Sequence, residues 1–157
     1  MGIRWHYYEF HAVWRLSATP AEVYAVLADA ERYPSWWPQV REVYPLDGDA
    51  GMACFRSFLP YELRVTARAL RRDEATGVLE MAMTGDLQGH VRWTIARDTA
   101  DPRLVRAEFD QCVEVRKRSL RWFALPGRPL FLANHALMMR AGLRGLRRRL
   151  AHGLDEA

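Results

Sequence analysis

The middle of the chain is dominated by a two-residue alternation of apolar and polar side chains. Between residues 40 and 115 it recurs in short runs, separated by breaks rich in glycine, proline and aspartate. Successive strand residues point to opposite faces, so each run predicts a strand with one buried and one solvated face, and the series predicts an antiparallel meander. The clearest inward sets are Tyr61, Leu63, Val65 and Ala67; Gly89, Val91, Trp93 and Ile95; and Val105, Ala107, Phe109 and Val113.

The segment before the meander predicts one strand and two short helices. Residues 8–16 alternate and form the strand. A helix then starts with three matching signals: Thr19 as a hydroxyl N-cap, Pro20 at the first helical position, and Glu22 placed to complete a capping box. A second short helix follows and ends before Pro38.

The C-terminal stretch predicts a long amphipathic helix that begins near Pro129. Three arginines, Arg140, Arg144 and Arg148, point away from its apolar stripe. The stripe should lie on the sheet, and it consists of Leu132, Ala136, Met139, Leu143, Leu146 and Leu150.

The order of elements and the local sequence together resemble a known superfamily. Residues 19–29 (TPAEVYAVLAD), followed by ERYPSWWPQVREV, resemble the N-terminal signature of START-like (SRPBCC) proteins in the polyketide cyclase/dehydrase and coenzyme-Q-binding branches. The resemblance implies an α+β helix-grip fold over a single domain, residues 1–157: an antiparallel seven-stranded sheet wrapped around a long C-terminal helix, with two short helices after the first strand. It also implies a cavity for an apolar small molecule or lipid between sheet and helix.

Composition limits the other possibilities. No apolar run approaches the roughly 20 residues that span a bilayer, and the N-terminus lacks a signal-peptide core, so we expect a soluble, cytoplasmic protein. Cys54 and Cys112 are too few and too far apart for a disulfide framework, and are expected to be small buried hydrophobes. No cofactor or metal is predicted.

The inward strand positions supply a candidate lining for the cavity. Methionines and aromatic residues suit an adaptable apolar pocket, although the same residues could simply fill a core. The candidates are Trp14, Tyr61, Leu63, Val65, Met81, Met83, Val91, Trp93, Phe109 and Met139.

Two polar candidates complete this predicted ligand site. Gln111 falls on the apolar side of its strand, where an unpaired amide would cost about 1–3 kcal/mol, so it should have a partner. His135 lies about one step from the helix stripe and could direct a ring nitrogen at the cavity, or it could be structural. Gly142 flanks the stripe and is expected to make room for a neighbour.

Two functions from different classes follow. No catalytic motif is present, which favours a binding or carrier module for a hydrophobic ligand. The alternative is a polyketide aromatase/cyclase-type enzyme that uses Gln111, Tyr61 or His135 for acid/base work. Nucleic acid is not expected as a partner, because the exposed strand faces offer no set of stacking aromatics.

The charge distribution raises a further possibility. The net charge is +4, but residues 116–157 carry ten Lys/Arg against Asp155 and Glu156. In the segment from Arg116 to Pro129, basic residues flank Trp122 and Phe123. This composition is suited to contact with an anionic membrane surface. The alternative is that these apolar residues tuck under the helix and the arginines are merely solvated.

Overall fold

The domain is built on one antiparallel sheet. The computed structural model describes residues 7–56, 62–117 and 127–155, with side chains in the last range up to His152. Within these ranges the sheet has seven strands in the order β1-β7-β6-β5-β4-β3-β2. The strands are β1 (Tyr7–Leu16), β2 (Val40–Pro45), β3 (Ala50–Arg56), β4 (Glu62–Asp73), β5 (Val78–Gly85), β6 (Leu87–Arg97) and β7 (Val105–Val115).

The predicted alternation places the core on the concave face of this sheet. In β7 every second residue from Val105 is buried, and Gln111 shares that face. Trp93 of β6 lies opposite Phe109 in the register, with ring centroids 4.9 Å apart. The inward and outward faces of β6 and β7 are therefore those predicted from the sequence.

Two short helices connect β1 to β2. The first, α1 (Pro20–Ala28), has the predicted capping box: the Glu22 amide donates to the Thr19 hydroxyl oxygen at 3.2 Å, and the Thr19 amide donates to the Glu22 carboxylate at 3.3 Å. The second is a 3₁₀ helix (Ala30–Ser35), and the chain turns after it so that Trp36 and Trp37 are buried.

The long helix α2 (Arg128–Asp155) covers the sheet, but its first turns are rotated from the predicted stripe. Met139, Leu146 and Leu150 are buried as predicted, whereas Leu132 and Ala136 are exposed. Inward positions in the first turns belong instead to Phe131, Asn134, His135 and Met138, which line the cavity. The prediction was wrong there because residues 130–139 are apolar on nearly every side of the helix. The predicted residues, Leu132 and Ala136, and the observed ones, Phe131 and His135, therefore both keep helical spacing with Met139.

Two glycines let α2 approach the segment after the 3₁₀ helix. A Cβ at Gly142 would lie 2.5 Å from Cε2 of Trp37, and one at Gly145 would overlap the carbonyl oxygen of Trp36. The indole Nε1 of Trp37 donates to the carbonyl oxygen of Met138 at 2.9 Å. Gly142 therefore makes room for a tryptophan, and Gly145 for backbone.

Replacing Gly145 by alanine is expected to destabilise the protein by about 1–3 kcal/mol, because the new methyl group meets a backbone atom that cannot rotate away. At an exposed helix position the same exchange should stabilise by about 1 kcal/mol. Urea unfolding followed by circular dichroism measures the change, with Ala136→Gly on the exposed face of α2 as the propensity control. A more stable Gly145→Ala protein would show that the two backbones can separate without cost.

Candidate functional site

A cavity of about 430 Å³ lies between the concave face of the sheet and the first half of α2. This volume falls within the range of about 300–1,000 Å³ found for small-molecule sites. Most of its wall is hydrocarbon and aromatic, contributed by β3 to β7 and by α2.

The cavity brings together most of the residues singled out from the sequence. The structure places the following around it: Leu63, Val65, Met81, Met83, Val91, Trp93, Phe109, Gln111, His135 and Met139. Their contact with a ligand remains a prediction.

One of the predicted residues is not part of this wall. Trp14 packs behind it, where its indole contacts Trp37 and Trp93 at centroid distances of 5.6 and 4.9 Å. It therefore supports the wall of the cavity, and the inclusion of Trp14 in the predicted lining was wrong. Tyr61 lies outside the described residues.

Three polar side chains interrupt the apolar wall next to α2: Gln111, Asn134 and His135. Nε2 of His135 lies 3.1 Å from Oε1 of Gln111, and the amide nitrogen of Gln111 lies 3.6 Å from Sδ of Met83. The partner predicted for Gln111 is therefore another side chain. Because Gln111 is on β7 and His135 on α2, the pair also joins the sheet to the helix across the cavity.

Burial holds the His135 ring in its neutral form. The ring stacks on Phe10 with centroids 3.6 Å apart and planes within 7°, and Phe109 lies against it at 6.1 Å. Loss of solvent lowers the pKa of His135 from its usual 6.5 to about 4, since none of these neighbours carries a charge that would stabilise the imidazolium. At neutral pH the ring can therefore donate one hydrogen bond and accept another.

Several lining residues escaped the sequence prediction. Phe10 has the same strand parity as the candidate Trp14 and could have been included on that ground. Phe131, Asn134 and Met138 were missed because the register of α2 was taken one step away. Trp37 follows the 3₁₀ helix, where no periodicity indicates which way a side chain points.

Charged residues in the described lining lie at the rim. Asp29 and Glu31 come from the start of the 3₁₀ helix, Asp49 from the turn between β2 and β3, and Arg72 from β4. All four are exposed, and Asp29 pairs with Arg32 at 3.3 Å. Within the described part of the chain, the rim is therefore more acidic than basic.

A separate cluster lies on the outer face of the sheet. His11 is exposed, its Nδ1 lies 2.7 Å from Oδ1 of Asp110, and its Nε2 lies 3.6 Å from Glu108. Because each ring nitrogen faces a different carboxylate in an open, solvated position, these contacts form a surface cluster that contributes little to stability.

Comparison with known proteins places the chain in a family. The family model described as polyketide cyclase / dehydrase and lipid transport matches residues 16–128. The chain belongs to this family. No curated protein matches it in sequence.

Solved structures agree on the START-like fold of this polyketide cyclase/dehydrase family member. A protein from Thermus thermophilus is 16% identical with a TM-score of 0.78, over 93% of this chain and 99% of that one. The Zhui aromatase/cyclase from Streptomyces sp. R1128 is 15% identical with a TM-score of 0.77, over 95% and 96%. A START superfamily protein from Mycobacterium smegmatis is 14% identical with a TM-score of 0.70, over 92% and 97%. The predicted fold class and family are confirmed.

The segment predicted to meet a membrane is described only at its ends. Arg116 pairs with Glu114 at 3.0 Å, and Lys117 donates to the carbonyl oxygen of Glu62. Arg128 lies over the ring of Tyr8, 4.4 Å from its centroid. Residues 118–126, with Trp122 and Phe123, lie outside the described residues, so membrane contact by this polyketide cyclase/dehydrase family member stays a prediction. Among the helices that are described, none has the length and apolarity needed to span a bilayer.

Proposed function

We propose that this protein binds and carries an apolar small molecule or lipid in the cavity between the sheet and α2. One observation carries the proposal: a cavity of about 430 Å³ persists inside a wall of buried methionine, aromatic and aliphatic side chains. Methionine is suited to such a wall because its flexible thioether adapts to ligands of different shape.

The composition of the wall favours a carrier over an enzyme. A cyclase-type reaction would need groups that exchange protons at the reacting carbons, held within hydrogen-bond reach of one another. Apart from the charged residues at the rim, two titratable groups are found in the described lining, Tyr33 and His135. The Tyr33 hydroxyl donates to the carbonyl oxygen of Leu27, and the partner of His135, Gln111, has no ionisable proton. With a pKa of about 4, His135 is also a weak base at neutral pH.

The aromatase/cyclase alternative retains one supporting observation. The pair of His135 and Gln111 faces the cavity and could hold a carbonyl or hydroxyl group of a folded chain. The similarity to the Zhui aromatase/cyclase concerns the fold alone at 15% identity. Turnover of a polyketide analogue by wild type, lost in His135→Phe, would favour the enzyme.

Binding can be tested with Nile red, an uncharged dye whose emission rises in apolar surroundings. The expected result is a saturable rise in emission with one site per chain, together with release of a small apolar molecule when the purified protein is analysed by native mass spectrometry. Replacing Ala67 by tryptophan should abolish the rise, because Ala67 lines the cavity and the indole would occupy its volume.

The matched control is Thr66→Trp, which places the same side chain on the opposite face of β4. It should leave dye binding unchanged. If wild type binds no dye, or if both tryptophan variants bind equally well, the cavity is not a binding site.

A further inference from the structure

The orientation of the Gln111 amide fixes the tautomer of His135. Its nitrogen faces Sδ of Met83 and its oxygen faces Nε2 of His135. The reversed amide would set oxygen against sulfur, two atoms with no hydrogen between them, so the observed orientation is the one that uses both ends. Because Oε1 can only accept, Nε2 of His135 carries the proton and donates it.

The second ring nitrogen of His135 is therefore an acceptor. In the neutral ring the lone pair is on Nδ1, and within the described part of the chain Nδ1 has no hydrogen-bond partner. Phe10 and Phe109 pack against the ring. The stacked Phe10 covers a ring face and leaves the in-plane lone pair of Nδ1 free to accept from a ligand donor.

The charges around the cavity disfavour an anion at this place. The described charged lining residues are Asp29, Glu31, Asp49 and Arg72 at the rim, where carboxylates outnumber the guanidinium. Arg128, at the start of α2, is held over Tyr8 and donates to the carbonyl oxygen of Tyr7 at 3.3 Å. Among the described residues, a carboxylate placed next to His135 would therefore find no opposite charge to replace its lost hydration.

We propose that the cavity selects uncharged amphiphiles bearing a hydroxyl group, which donates its hydrogen bond to Nδ1 of His135 while the hydrocarbon part fills the space along Met81, Met83 and Leu63. This inference rests on the proposed function and names the class of ligand. Fatty acids and other anionic lipids are then poor ligands, although their hydrocarbon chains would fit the same wall.

Three probes with the same chain separate the possibilities: 1-dodecanol, methyl dodecanoate and dodecanoate, each used to displace Nile red at pH 7.5. The alcohol should compete at least about tenfold better than the ionised acid, since each 1.4 kcal/mol of unpaired charge burial weakens binding tenfold. It should also compete about threefold to tenfold better than the ester, which accepts hydrogen bonds but donates none.

Two variants assign the preference to the polar pair. In His135→Phe the alcohol and the ester should compete equally, because the acceptor is gone while the stacking on Phe10 is kept. In Gln111→Glu the new carboxylate should hold the imidazole protonated, so that Nδ1 becomes a donor and the ester gains on the alcohol. Leu137→Ala, an exchange on the exposed side of α2 and outside the cavity wall, should keep the wild-type order.

The outcomes distinguish the hydroxyl preference from the proposed function, which is ligand binding in the cavity. Nile red binding by wild type tests the cavity itself. Where the dye binds, three outcomes would overturn the hydroxyl proposal and leave the cavity as a binding site of other specificity. Dodecanoate competes as well as the alcohol or better, or none of the three probes competes. The third is that the preference for the alcohol over the ester survives in both His135→Phe and Gln111→Glu.

Discussion

Replacing Leu146 by aspartate should unfold the protein or lower its free energy of unfolding by about 5 kcal/mol or more. Leu146 has no exposed surface and belongs to the core where α2 crosses the sheet. The exchange removes a packed leucine, which alone costs about 2–5 kcal/mol, and leaves a carboxylate without water. Urea unfolding followed by tryptophan emission and circular dichroism measures the loss.

Arg148→Asp is the matched control, two residues further along the same helix. Arg148 is exposed, so this variant should differ from wild type by no more than about 0.5 kcal/mol. Similar losses in the two variants would mean that the buried face of α2 is not the one described. Leu146→Ala should fall between them, because it leaves a cavity but no buried charge.

The sheet was predictable because its information is local. In a strand that is buried on one face, every second residue is apolar, and this alternation shows which face is buried. Strands β6 and β7 keep the alternation along their length. The start of α1 could also be predicted from neighbouring residues alone, because the capping box of Thr19 and Glu22, with Pro20 between them, lies within four residues. These elements needed no knowledge of their neighbours.

The rotation of α2 was not predictable for the opposite reason. Its first turns are apolar on several sides, so spacing alone could not choose between Leu132 and Phe131 as the buried residue. The choice is made by tertiary contacts: Phe131 packs against Tyr8 at 4.7 Å, and His135 against Phe10 at 3.6 Å. Both partners lie on β1, more than 100 residues away in the chain.

The same limit applies to the candidate site. Gln111 was recognised because a polar residue on an apolar strand face requires a partner, and that reasoning is local. The identity of the partner depended on the rotation of α2, which also turned Asn134 and Met138 inward. Trp37 could not be assigned because the 3₁₀ helix and the turn after it have no period that a sequence can display.

The stability of the protein should fall as the pH drops from 6.5 to 4, by an amount on the order of 3 kcal/mol from His135 alone. Burial lowers the pKa of His135 to about 4 in the folded protein, whereas the unfolded chain keeps the usual 6.5. Between these two pKa values the unfolded chain binds a proton at His135 and the folded protein does not, so lowering the pH favours unfolding. The contribution is fully present above pH 6.5 and is lost progressively toward pH 4.

The paired carboxylates act in a different window. Hydrogen bonds from the Ala100 amide and from Arg15 lower the pKa of Asp98, and similar bonds lower the pKa of Asp73 and Asp101. Their stabilisation is lost below the usual carboxylate pKa of about 4, so the dependence of stability on pH above that value reports on His135.

Urea unfolding at a series of pH values between 7 and 4.5 should show this pH dependence of stability in wild type and its absence in His135→Phe, whatever the baseline stability of that variant. Proton NMR should place the His135 midpoint near 4, well below the usual histidine pKa of 6.5. A slope shared by both proteins, or a His135 midpoint near 6.5, would mean that the ring is hydrated and charged in the folded state, and the cavity would then present a cation next to α2.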